Sequence, residues 1–137
     1  MIEVQARDRV LHLGFGDGSA TRDFARRASL GLVLGVDPSD DAVRHARKLS
    51  VEIENVMFVT GSAVDVPWQD AFFSVVLSEA PVPDWTRAAR EIFRVAAPGG
   101  RVYIMNPPPD GEALFRSAGF DPVRVDGLRL EARKPVF

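Results

Sequence analysis

The spacing of apolar and polar positions changes period repeatedly along the chain, and each change marks an element. Arg9 to Leu13 is a short apolar run and reads as a first strand. Ser19 to Ala28 puts Phe24, Ala25 and Ala28 on one helical face, with Ser19 as the N-cap residue and Gly31 as the stop. Leu32 to Val36 is continuously apolar, as a parallel strand covered on both faces should be. Pro38-Ser39 interrupts it, and Asp40 to Leu49 predicts a helix with Ala42, Val43, Ala46 and Leu49 inward. Asn55 to Thr60 and Phe72 to Leu77 read as third and fourth strands, separated by a loop through Gly61 and Pro67. Trp85 to Ala96 is the clearest amphipathic helix, with Trp85, Ala88, Ala89, Ile92 and Phe93 at helical spacing. Pro98-Gly99-Gly100 reads as a hard stop before a fifth strand, Val102 to Met105. Glu112 to Ala118 is a short helix closed by Gly119. Pro122 to Val125 and Leu128 to Arg133 alternate around Asp126-Gly127, which predicts a hairpin.

Strand and helix signals thus alternate, with no repeat and no linker. The pattern predicts a single three-layer α/β domain over residues 1–137, doubly wound around a mostly parallel sheet, with a terminal antiparallel hairpin. Hydrophobic residues make up 46% and charged residues 26% of the 137 positions, as in an ordinary soluble protein. The formal net charge of −2 gives no broad pull toward nucleic acid or an anionic membrane. No apolar run approaches the ~20 residues of a membrane span, and no signal-peptide pattern is present, so the expected location is cytoplasmic. Cysteine is absent, which excludes disulfides, thiolate metal sites and a cysteine nucleophile.

The candidate chemistry begins at the end of the first strand. Val10 to Ser19 reads V-L-H-L-G-F-G-D-G-S, with Gly14, Gly16 and Gly18 at alternate positions and a helix directly after them. A buried strand, a glycine turn and a helix N-terminus together let backbone approach a nucleotide-like ligand and offer it N–H groups. Asp37 ends the second strand, where ligands of open α/β sheets bind. Glu79 follows the fourth strand at the same edge and is the best-placed carboxylate for a substrate. His12 sits in an apolar strand, equally suited to a satisfied core imidazole and to a ligand contact. His45 lies on a polar helix face, and neither histidine has the acidic neighbours of a metal site. Trp68 and Trp85 read as packing residues. Asn106-Pro107-Pro108-Pro109 reads as a stiff loop that could rim a pocket.

Seven segments in register resemble the class I S-adenosylmethionine-dependent methyltransferases, and they cover nearly the whole chain. They are the alternate-glycine turn, Gly35 to Ser39, Val59 to Ala63 with Val66-Pro67-Trp68, Phe73 to Ser78, Glu91 to Val95, Pro98 to Val102, and Ala118 to Phe120 with the closing hairpin. The resemblance implies S-adenosylmethionine as cofactor and methyl transfer to a small molecule. It would set Gly14, Phe15, Gly16 and Gly18 against the methionine part, with His12 beside it, and Asp37 on the ribose hydroxyls. Pro38 would lie on the adenine face, Ser62 and Ala63 at the adenine edge, and Ser78 beneath the sulfonium and amino group. Glu79 would orient the acceptor or take its proton. The chain departs from the family where acids are usual and it has His12, Ser62 and Ser74. It also starts almost directly at the first strand, where family members often carry helices that cover the cofactor. A homodimer or a partner subunit could supply that cover. Two other readings stay open: a binding or regulatory protein on a methyltransferase-like scaffold, and a nicotinamide dinucleotide enzyme. Ser19, standing where G-x-G-x-x-G wants glycine or alanine, weighs against the latter.

Overall fold

The computed structural model describes residues 2–137. Its elements run β1 (Arg9–Leu13), α1 (Ser19–Arg27), β2 (Leu32–Asp37), α2 (Asp40–Lys48), β3 (Val56–Thr60), β4 (Phe73–Ser78), α3 (Trp85–Val95), β5 (Ala96–Met105), α4 (Gly111–Ala118), β6 (Val123–Asp126) and β7 (Arg129–Arg133). One seven-stranded sheet forms in the order β3-β2-β1-β4-β5-β7-β6. Neighbours among β1 to β5 are parallel, and β7 alone runs against both of its neighbours, as the hairpin signal predicted. The chain winds outward from β1 to β3, then crosses back to begin again at β4. Between β1 and β4 the winding therefore reverses, which opens a crevice at the C-terminal ends of those strands.

Alternate residues of each strand feed two opposite cores. Val10, Val33, Val75 and Leu77 pack beneath Phe24, Ala25 and Ala28, which lie on and just after α1. Leu11, Leu13, Leu34, Val36, Val76, Val102 and Ile104 pack on the other face with Ala89 and Ile92 of α3 and Phe115 of α4. Ile92 is fully buried, so its truncation to Ala should cost about 2–5 kcal/mol. Polar groups secure the helix ends. The Asp84 carboxylate accepts from the Arg87 N–H at 3.1 Å at the start of α3. At its end, Lys134 Nζ donates to the carbonyls of Phe93 and Ala96 at 2.7 and 2.8 Å.

Three local expectations are corrected. The N-cap of α1 is Gly18, at φ 85°, not Ser19. The chain enters that helix through a left-handed residue, and the Ser19 N–H is instead taken by the Asp17 carboxylate at 2.9 Å. Leu49 does not point inward: it is 53% exposed, because α2 ends at Lys48 and the chain turns away there. Pro98-Gly99-Gly100 does not separate elements, because β5 runs through it. Phe73 faces Ala96 whereas Val75 faces Arg101, so the residues between bulge out of the ladder, with Gly99 at φ 77°.

Candidate functional site

Backbone hydrogen bonds tie the ends of three strands into one rim. Gly14 N–H donates to the Val36 carbonyl at 2.8 Å, and Gly61 N–H donates to the Asp37 carbonyl at 3.1 Å. The glycine turn, Asp37 and the loop after β3 are thereby held side by side. Across the reversal point, Glu79 N–H donates to the Leu13 carbonyl at 3.1 Å, which brings the loop after β4 onto the same rim.

A hollow of about 220 Å³ opens here. It is lined by Leu13, Gly14, Val36 and Ser78 at the strand ends, by Pro38 and the 61–64 loop, and by Ala80 to Pro83. The walls are almost wholly apolar, and the polar groups are few and fixed. Ser78 is fully buried, and its Oγ has no hydrogen-bond partner. Leaving a buried hydroxyl unpaired costs about 1–3 kcal/mol, which a ligand donor or acceptor could recover. Asp37 Oδ1 accepts from the Ser39 N–H at 3.0 Å, which sets the carboxylate's direction. Its Oδ2 has no partner among the described residues.

The glycines play different parts. Gly14, at φ +74°, is pressed on by the loop after β4, and a Cβ there would lie 2.2 Å from the Ala80 Cβ. Gly16, at φ +61°, would carry a Cβ with nothing within 4 Å, so bare backbone faces open space. Gly18 is enclosed near Phe58 and Ala46. The Phe15 side chain turns away and packs edge-on to Phe58, with ring centres 4.8 Å apart. Only its backbone belongs to the turn's outer face. At the start of α1, the Asp17 carboxylate is held below the usual range by the Ser19 N–H it accepts.

Gly14, Pro38, Ser62, Ala63 and Ser78 therefore line the hollow, whereas Asp37 and Gly16 do not. His12 does not line it. The imidazole is fully buried on the opposite face of the sheet, with Nδ1 2.8 Å from Thr21 Oγ1 and Nε2 3.3 Å from Glu79 Oε2. Parallel pairing of β1 with β4 brings Glu79 to His12 across 67 residues of sequence. The described residues still hold no group of three or more His, Cys, Asp or Glu suited to a metal ion. The Glu79 side chain is 47% exposed, and its carboxyl is held below its ordinary range chiefly by the hydrogen bond from His12. Sequence reasoning missed Thr21 and the apolar wall Pro81-Val82-Pro83. The P-V-P run directly after a predicted strand end was the available signal for that wall.

A clamp supports the wall at residues 61–64. Glu91 Oε2 accepts from the Val66 N–H at 2.6 Å, and Arg94 bonds Glu91, Asp70 and the carbonyls of Val66 and Trp68. His45 is exposed, as expected. Trp68 packs on Phe72 and Phe73, and Trp85 on Phe115. Asn106, at φ 52°, borders a second hollow with Glu79, Trp85 and Met105. Among the described residues no helix is long and apolar enough to cross a membrane.

Residues 10–100 match the family model described as a methyltransferase domain. YrhH of Bacillus subtilis, a protein assigned as a methyltransferase, is 33% identical over 107 residues, covering 75% of this chain and 59% of its own length. Demethylmenaquinone methyltransferase of Lactococcus lactis is 35% identical over 99 residues, covering 68% of this chain and 39% of its own. Among solved structures, YcgJ of Bacillus subtilis superposes with a TM-score of 0.69 at 28% identity, over 85% of this chain and 52% of its own. This chain thus spans about two-fifths to three-fifths of these relatives. With the 3-2-1-4-5-7-6 sheet and the open glycine turn, the match establishes that the chain belongs to the class I S-adenosylmethionine-dependent methyltransferase family.

Proposed function

We propose that the chain binds S-adenosylmethionine along this rim and transfers its methyl group to a small, largely apolar molecule. The observation that carries the reading is the buried Ser78 hydroxyl, without a partner among the described residues, in an apolar hollow that the glycine turn enters at Gly14. The residues present fit the cofactor. An apolar slot between Pro38 and the 61–64 loop suits a flat base, and Ser62 can meet its edge. A carboxylate with one free oxygen, Asp37, suits a vicinal diol. Gly16 lets a thioether chain cross the rim without meeting a Cβ, and Ser78 offers a hydroxyl below it.

S-adenosylmethionine supplies a methyl carbon already activated by the positive sulfur. When bound it would offer that carbon to an acceptor's lone pair, with sulfur keeping the electron pair of the broken bond and any proton leaving from the acceptor. The chain's own part is then to hold, orient and exclude water, and proximity of this kind is worth roughly 7–11 kcal/mol at best. The apolar loop Ala80 to Pro83 borders the space where an acceptor would enter. Its character, and the substrate named for the Lactococcus relative, support an apolar acceptor.

Asp17 weighs against a dinucleotide. Its carboxylate occupies the Ser19 N–H at the start of α1, where a pyrophosphate would need free donors. Calorimetric titration with S-adenosylmethionine, S-adenosylhomocysteine and NAD tests the reading. Micromolar binding of the first two and none of NAD is expected. Binding of NAD alone would overturn it, and binding of none would return the chain to the scaffold reading.

A further inference from the structure

Glu79 takes no part in the hollow, yet it is the most elaborately held carboxylate at the rim. Its backbone is pinned to β1 through the Leu13 carbonyl, and its neighbour Ala80 presses on Gly14. Its side chain crosses to the α1 side of the sheet and meets His12 Nε2. The imidazole has no access to water, and its edge lies against Phe24 at a ring separation of 5.5 Å. The geometry lets Nε2–H donate to Glu79 Oε2 while Nδ1 and the Thr21 hydroxyl share the second hydrogen bond. A surface carboxylate needs no buried imidazole to stay in solution. This chain of three holds the Glu79 carboxylate next to the glycine turn, and Oε1 has no hydrogen-bond partner among the described residues.

A fixed, half-exposed carboxylate calls for a cation, and the cofactor proposed above has two. The sulfonium must stay open to the acceptor. The α-ammonium lies at the far end of the methionine part. A ligand whose adenosine sits by Pro38 and Ser62 leaves the hollow past Gly14, and Glu79 is the carboxylate anchored against that glycine. We propose that Glu79 receives the cofactor's α-amino group, with His12 and Thr21 as positioning residues that hold its carboxylate in place. The inference rests on the cofactor reading above and assigns Glu79 to the cofactor rather than to the acceptor.

The test uses two probes that share adenosine and a thioether: S-adenosylhomocysteine, and 5′-methylthioadenosine, which lacks the amino acid end. Each is titrated calorimetrically into wild type, Glu79→Gln, Glu79→Asp and Thr21→Val, after thermal unfolding confirms that each variant is folded. Glu79→Gln should weaken S-adenosylhomocysteine by about tenfold or more, because a charge-assisted hydrogen bond is lost. It should leave 5′-methylthioadenosine within about twofold of wild type. Glu79→Asp and Thr21→Val should lose part of the same preference. An unchanged ratio of the two affinities in Glu79→Gln would overturn the inference, and so would an equal loss for both probes. Failure of wild type to bind either compound would instead mark failure of the cofactor reading.

Discussion

Gly14 and Gly16 have similar backbone angles but opposite surroundings, so alanine at each should separate folding from binding. Both sit at positive φ, +74° and +61°. An L-residue forced there costs about 1–2 kcal/mol. At Gly16 nothing lies within 4 Å of the added Cβ, so that cost is the whole effect on the fold. For a domain of this length it lowers the melting temperature by about 3–8 °C. At Gly14 the methyl must also share space with the Ala80 Cβ at 2.2 Å and the Ala80 N at 3.0 Å. Both atoms belong to a loop tied to Leu13, so overpacking adds about 1–3 kcal/mol. Gly14→Ala should therefore lose about 2–5 kcal/mol in all and open the loop. Binding should rank differently. The Gly16 methyl projects into the space a ligand would use, so Gly16→Ala should weaken S-adenosylhomocysteine by at least about 1.4 kcal/mol, or tenfold, despite its mild effect on stability. Urea unfolding with calorimetry on both variants provides the comparison. A Gly16→Ala protein that binds S-adenosylhomocysteine like wild type would refute the placement of ligand over the glycine turn.

Three further outcomes follow from the same geometry. Ser78→Ala removes a buried hydroxyl that has no partner, so urea unfolding should show stability unchanged or raised by up to about 1 kcal/mol, while affinity for S-adenosylhomocysteine falls. A clear loss of stability would mean the hydroxyl is satisfied in the free protein. Asp37→Ala should weaken the same ligand by about 1–3 kcal/mol, and calorimetry showing no change would remove Asp37 from the ribose. The Glu91 carboxyl is held below its ordinary 4.5, chiefly by the hydrogen bond from Arg94. Its stabilising effect is thus fully present above that pH and is lost as pH falls through the lower folded-state value. Urea midpoints measured from roughly pH 6 to pH 3 should fall less steeply in Glu91→Gln than in wild type, and parallel curves would refute the role of the clamp.

The elements were legible because their signals are local. A continuous apolar run gave β2, helical spacing gave α3, and Asp126-Gly127 gave the hairpin that leaves β7 reversed. The α1 cap misled because Ser19 is a good capping residue by type, while the actual entry depends on the positive φ of Gly18 and on Asp17 one position before it. The bulge at residues 97–100 misled because proline and glycine mark a break in a single strand's pattern. Whether the ladder resumes depends on the neighbouring strand.

The site divides along the same line. Gly14, Gly16, Asp37 and Ser78 sit at strand ends, and parallel pairing places strand ends together, so their nearness follows from fold class. The meeting of His12 with Glu79 follows from nothing local. It requires that β1 and β4 be neighbours and that Leu13 lie opposite Ser78 in the ladder. It also requires that Thr21 fall on the first turns of α1, facing the sheet. Each condition is set by the reversal point of the winding, 67 residues of chain being folded back to close one hydrogen bond. That reversal point also opens the crevice. The buried imidazole, with hydroxyl on one side and carboxylate on the other, therefore depends on the same reversal of the winding. Substitutions at position 12 should be judged by what they do to Glu79, and not by the apolar strand in which the histidine sits.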